Sequence, residues 1–430
     1  MSEEFLHYLW KYKKINFSNL KTTSQQSVVL QRIGDHNEMN SGPDFFNAHL
    51  MIDNQKWAGN VEIHIKSSDW YAHHHESDPA YDNVILHVVW EDDMDVFRKD
   101  NSQIPSLQLK DYIDNTLLFR YQKIFENKEA SWIQCEKQLS EVSDFTISNW
   151  QERLYVERLE DKSKLIDELL INSSNDWEAV LFKLLSKSFG LKVNSDAFLS
   201  MANSFDFSIL RKSNTSLEQL EALLYGQAGL LYSDSNIVYV EQLLKKYDFL
   251  KNKFKLENDG VFPFQFFRLR PPNFPTIRIS QLANLYFKNK QLFNKIIQYN
   301  DLLKFYELFN VSASNFWKTH YTFNKGSSFG KKNLTKPFIH LILINAVIPL
   351  KFLYAKSQGK NIEEEIFGLI SQLPAEKNTI IDRFTSLGVH IEDALHSQSM
   401  IQLKNNYCDQ KGCLKCSIGN YLLNQECSLG

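Results

Sequence analysis

The segment Ser41–Trp90 gathers side chains that bind metals and move protons. Asp44 follows Gly42-Pro43, Glu62 and His64 lie two residues apart, and His73, His74, His75 and His87 follow. Two carboxylates beside an imidazole make a hard, oxygen-rich site with open positions, suited to Mg²⁺ or Mn²⁺. Such an ion polarises a phosphoryl oxygen and lowers the pKa of its water, so a phosphodiester is the natural substrate. Residues two apart on a strand share a face. Glu62, His64 and Lys66 therefore line up, with His64 placed to ligate metal or accept the proton of water and Lys66 placed to supply positive charge. His73, His75 and His87 are additional candidate ligands, and His74 reads as exposed loop. A structural alternative stays open, in which Asp44 caps a turn, Glu62 and His64 pair with neighbours and His87 is a core histidine.

A second constellation lies at the other end. Cys408, Cys413 and Cys416 form C-x4-C-x2-C. Three thiols so close together in a reducing compartment point to Zn²⁺ or a [4Fe–4S] cluster, each of which takes four ligands. Cys135 is the expected fourth, tying the α/β end to the tail, and Cys427 is the nearer alternative. A third set is basic. Arg268, Arg270 and Arg278 stand among phenylalanines and prolines in FFRLRPPNFPTIR, and Lys331 and Lys332 lie in the glycine-bearing loop HYTFNKGSSFGKKN. Arginine with aromatics can grip phosphates and stack on bases. A structural crossover and a solvated loop are the competing readings.

The elements that position these residues follow from periodicity. Phe5, Leu6, Leu9 and Tyr12 share one helical face near the N-terminus, with Ser2 as the expected cap. VVLQRI, FFNAHLMID, KWAGNVEIHIK, VILHVVW and IPSLQLKDY read as strands, and VILHVVW is apolar enough to be covered on both faces. Beyond Asp111 helical periodicity dominates. The fold class expected is α+β, with a sheet domain over 1–115, an all-helical domain over 116–400 and a cysteine-bearing tail over 401–430.

At 430 residues the chain exceeds one ordinary domain, and 43% hydrophobic against 23% charged residues excludes a disordered chain. A net charge of −3 means that any basic surface is local. MSEEFLHYLWKYKK lacks a signal-peptide layout, and FIHLILINAVIPLKFLY is interrupted by His340, Asn345, Pro349 and Lys351. The expectation is a buried helix, no membrane and a cytoplasmic protein.

The order helix, strand, Pro43-Asp44 opening a strand, Glu62-Ile63-His64 in the next, crossover and further strand resembles the PD-(D/E)XK, restriction-endonuclease-like nuclease superfamily. That resemblance covers roughly residues 1–110. It implies that Asp44 and Glu62 are the metal-binding acids, with Glu4 a weaker match to an acid of the first helix. His64 stands where the superfamily motif has lysine. The cysteine pattern is similar to that of iron–sulfur nucleases of the recombinational helicase–nuclease and CRISPR-adaptation groups, although their lone cysteine precedes the nuclease motifs and Cys135 follows them. GPDFFNAHL, GNVEIHIKSSDW, EALLYGQAGLL, RLRPPNFPTIR and YCDQKGCLKCSIG also resemble an uncharacterised bacterial family defined only as a domain of unknown function. The leading expectation is a metal-dependent nuclease acting on DNA or RNA. The competing ones are a non-catalytic nucleic-acid-binding or assembly protein on a decayed nuclease fold, and a zinc hydrolase using His64, His73, His75 or His87.

Overall fold

The computed structural model describes residues 1–37, 40–125, 131–231 and 237–425. The fold is α+β and divides into two compact units, Met1–Trp150 with the tail from Leu403, and Gln151–Gln402. The three parts expected from sequence divide the chain differently. The boundary falls inside the long helix Asp144–Ile171 rather than at 115, and the tail is part of the first unit. A tail this short cannot bury a core of its own, so it docks on the unit that offers one.

Helix α1 (Glu3–Lys11) opens the first unit. Phe5, Leu6, Tyr8, Leu9 and Trp10 are buried, and acids in the first turn with Lys11 in the last suit the helix dipole. Ser2 does not cap α1 with its side chain. Its hydroxyl lies 3.0 Å from Tyr121 Oη instead.

Seven strands follow: β1 (Leu20–Lys21), β2 (Ser27–Arg32), β3 (Asp35–His36), β4 (Phe45–Ile52), β5 (Gln55–Lys66), β6 (Val84–Glu91) and β7 (Ser106–Gln108). They form one sheet in the order β1-β2-β4-β5-β6-β7, with β3 paired to β4. β4 and β5 are an antiparallel hairpin whose Ile52↔Gln55 pairing leaves Asp53 and Asn54 as the turn. Both have positive φ, 45° and 68°, the geometry Asp and Asn tolerate in a two-residue hairpin loop. β6 runs parallel to β5, so a crossover is required, and α2 (Asp69–Ala72) with the turns after it supplies one. β6 is buried from Val84 to Val89, as its run of apolar residues, broken only by His87, leads one to expect.

The second unit is helical, with one small exception to the all-helical expectation, a two-stranded hairpin of His320–Thr322 and Lys325–Gly326. Its core is built around Trp177–Phe189, Leu217–Gln227 and Pro275–Lys288, helices dense in buried leucine, isoleucine and aromatic side chains. Among the described residues, the helical run Lys336–Ser357 is long and apolar enough to cross a membrane, yet 72% of its apolar window is buried inside the fold.

Candidate active site

Because Phe45 pairs with Val61, Asp44 sits beside the Glu62 position of β5. The Asp44 N–H donates to Glu62 Oε2 at 3.1 Å, and the Ile63 N–H donates to Asp44 Oδ2 at 2.9 Å. The two acids expected to share a cation thus converge. In the parallel ladder Glu62 pairs with His87, which puts His87 on the face shared by Glu62 and His64. His64 Nδ1 lies 2.8 Å from His87 Nε2.

The crossover brings the remaining imidazoles. α2 ends with His74 in the left-handed conformation, φ 62°, which histidine adopts more readily than most residues. His74 itself is exposed. His73 Nδ1 lies 3.1 Å from His64 Nε2, and His75 Nε2 lies 3.4 Å from Glu62 Oε1, with His64 Nε2 3.5 Å from the same oxygen. One ligand atom from each of His64, His73 and His75 falls within 4.8 Å of the others. Tyr81 stacks on His75 with ring centroids 3.7 Å apart, and Trp70 closes the edge at 5.4 Å.

α1 contributes two residues that the sequence reading missed. His7 Nε2 lies 3.1 Å from Asp44 Oδ2, and Glu3, one helical turn away, lies within electrostatic range of Asp44 and His7. The signal was an i,i+4 acid–histidine pair beside the apolar face. Glu4, the acid favoured from sequence, is exposed. Lys66 is exposed at the end of β5, where its backbone N–H donates to Asp69 Oδ2.

Burial sets the electrostatics. It pushes Glu62 up to about 9, with the Asp44 charge adding to it. It drives His64 down to about 3, helped by the charges of His75, His73 and His7, and lowers His75 and His87 as well. For His7, burial is outweighed by the hydrogen bond to Asp44 and its charge, which raise the imidazole above its ordinary value. Neutral imidazoles are the form that ligates metal, and an ionised carboxylate at Glu62 requires a cation. Three imidazole nitrogens with a carboxylate oxygen fit Zn²⁺ or Mn²⁺ better than Mg²⁺, which favours an oxygen shell. His87 fills the position of an outer partner that fixes the ring of a ligating histidine.

The cysteines lie within electrostatic range of one another. Cys135, Cys408, Cys413 and Cys416 are thiols, all in the first unit. Burial raises Cys135 and Cys413 to about 12, and each feels the charge of neighbouring thiols. Cys408 is raised by burial, then by Cys135, Cys416 and Cys413. Cys427 lies outside the described residues.

The basic set does not act as one group. Arg278 is only 5% exposed; its guanidinium donates to Gln281 Oε1 at 2.9 Å and Asn273 Oδ1 at 2.6 Å, and covers the Phe338 ring at 3.6 Å. It is a packing residue, contrary to its expected role on nucleic acid. Lys332 donates to Lys318 O at 3.1 Å and Ser327 Oγ at 3.0 Å, pinning its own loop. Arg268, Arg270 and Lys331 are exposed.

A family model described as a protein of unknown function (DUF2851) matches residues 3–379, and the chain belongs to that family. The match spans the whole carboxylate–histidine segment. No curated protein and no solved structure matches the chain.

Proposed function

We propose that the first unit is a metal-dependent phosphodiester hydrolase acting on DNA or RNA. The observation that carries this reading is the convergence of Asp44, Glu62, His64, His73 and His75 at one edge of the β4–β5 hairpin. The PD-(D/E)XK resemblance rests on the order α1, hairpin, crossover and parallel β6. His64 in place of the motif lysine fits a site whose donors are richer in nitrogen than that superfamily's.

Glu62, His64, His73 and His75 would hold the cation, with Asp44 beside it. When bound, the ion supplies Lewis acidity and an activated water. His87 orients His64, and Trp70 and Tyr81 fix His75 and keep water away from its inner side. His7, from α1, lies outside the three-histidine group with Nε2 3.1 Å from Asp44 Oδ2; protonated, it would supply the positive charge that lysine would have given.

The test is cleavage of single- and double-stranded DNA and RNA by the purified chain with Mn²⁺, Zn²⁺ or Mg²⁺. The reading expects cleavage that Glu62→Gln and His73→Ala abolish while the circular dichroism stays native. Absence of product with every metal, or wild-type rates in Glu62→Gln, overturns it. The three-histidine group favours one alternative, a zinc hydrolase of another ester, which would show turnover on simple esters or phosphomonoesters and none on nucleic acid.

A further inference from the structure

The C-terminal tail is held within the first unit by contacts from residues on both sides of its cysteines. Asn424 Nδ2 donates to Tyr8 Oη at 3.0 Å, Arg120 Nη1 to Leu423 O at 3.3 Å, and Gln425 Nε2 to Glu141 O at 3.1 Å. The Lys404 ammonium lies 5.3 Å from the Trp132 ring, and Tyr407 meets Trp150 edge-on at 5.3 Å. The segment bearing Cys135 and the segment bearing the other three thiols are therefore fastened together.

Two short turns link the three cysteines of the tail. The Gly412 N–H donates to Tyr407 O at 2.8 Å and the Cys416 N–H to Cys413 O at 3.2 Å, and Cys408 lies within electrostatic range of Cys135, Cys416 and Cys413. The helix Ser417–Asn424 then starts directly from Cys416. Gly419 lets that helix lie against the Cys413 carbonyl, where a Cβ would collide. Cys135 is 8% exposed, Cys413 8% and Cys416 6%, and Cys408 is half-buried.

We infer that Cys135, Cys408, Cys413 and Cys416 are the four ligands of one thiolate metal centre that clasps the tail to the first unit. The occupant is thiophilic, a single Zn²⁺ or an iron–sulfur cluster. Ligation replaces each S–H with a sulfur–metal bond and releases the proton to solvent. The clasp also has a place beside the candidate active site. Gly412, Leu414 and Lys415 of the tail, with His7, Tyr8 and Lys11 of α1, line a cleft of about 230 Å³. Loss of the centre would therefore loosen one wall of the cleft that reaches His7, at a distance from the histidine ligands themselves.

The experiment uses the full chain purified without air. Elemental analysis, acid-labile sulfide and the visible spectrum are read on wild type, Cys135→Ser, Cys413→Ser and a His64→Ala/His73→Ala double variant, with hydrogen exchange followed over residues 404–425. Metal that survives the histidine double variant, is lost in both cysteine variants, and leaves the tail exchanging faster when lost supports the centre. Zinc without colour, or iron with matching sulfide and visible absorbance, identifies the occupant. A wild-type chain with neither metal, or cysteine variants that keep the full complement, overturns it. Nuclease activity does not enter these readouts, so failure of the proposed hydrolase and failure of the clasp are told apart.

Discussion

Asp44 and Glu62 are bound to each other through the backbone. The N–H of Asp44 serves the Glu62 carboxylate, and the N–H beside Glu62 serves the Asp44 carboxylate. The reciprocity fixes the buried Glu62 and the half-buried Asp44 in register across the hairpin, and burial together with the Asp44 charge opposes ionisation of Glu62 unless a cation is present.

Metal should therefore stabilise the wild-type chain and not the Glu62→Gln variant. Stripped of metal, the variant keeps a similar shape without the cost of a buried carboxylate, and its melting temperature should equal or exceed that of wild type. Mn²⁺ at about 100 times its dissociation constant should stabilise wild type by about 2.7 kcal/mol. Thermal melts with and without Mn²⁺ decide this; an equal shift in both proteins would remove Glu62 from the site.

His87 should act through His64. His87→Gln removes the ring that holds His64 Nδ1 and should weaken metal binding by about 10–100-fold. His74→Ala, at an exposed position of the same crossover, should leave affinity unchanged. Chelator competition measures both.

The arginines of the proline-rich segment should separate into two kinds. Arg278→Ala breaks buried hydrogen bonds and uncovers Phe338, so a loss of about 2–4 kcal/mol in denaturant melts is expected. Arg268→Ala and Arg270→Ala should leave stability within about 0.5 kcal/mol. If this face meets nucleic acid, each should lower the salt slope of binding by about one.

Glu221 gives the second unit a pH dependence. Its carboxyl is buried, accepts from Tyr239 Oη at 2.8 Å and is bonded to the Ser280 hydroxyl, yet burial lifts its pKa to about 7. With the folded value above the unfolded one, its stabilising effect is complete below the ordinary glutamate range and is lost as pH rises to about 7. Urea melts from pH 4 to 8 should show wild type losing a few kcal/mol relative to Glu221→Gln, the difference between the two proteins growing up to about pH 7. A wild type that gains stability over that window would contradict the assignment.

Gly419→Ala should release the tail. The added methyl group meets the Cys413 carbonyl, and forcing it in costs about 1–3 kcal/mol. Hydrogen exchange over Ser417–Asn424 should rise while the β4–β5 hairpin stays protected.

The sequence alone carried the hairpin, the acids and the thiols. Alternation placed Glu62 and His64 on one face of β5, and the spacing of Cys408, Cys413 and Cys416 marked a thiol cluster. These are local patterns, set by the period of a strand and the reach of a short loop. Tertiary structure alone decided the rest. Whether His7 and Glu3 reach Asp44 depends on how α1 lies on the sheet. Whether His73 and His75 meet His64 depends on one left-handed residue in the crossover. Arg278 and Arg268 look alike in a proline-rich string, and only packing buries the first and leaves the second in water. Convergence of distant segments depends on which apolar faces bury one another, and spacing along the chain does not encode that.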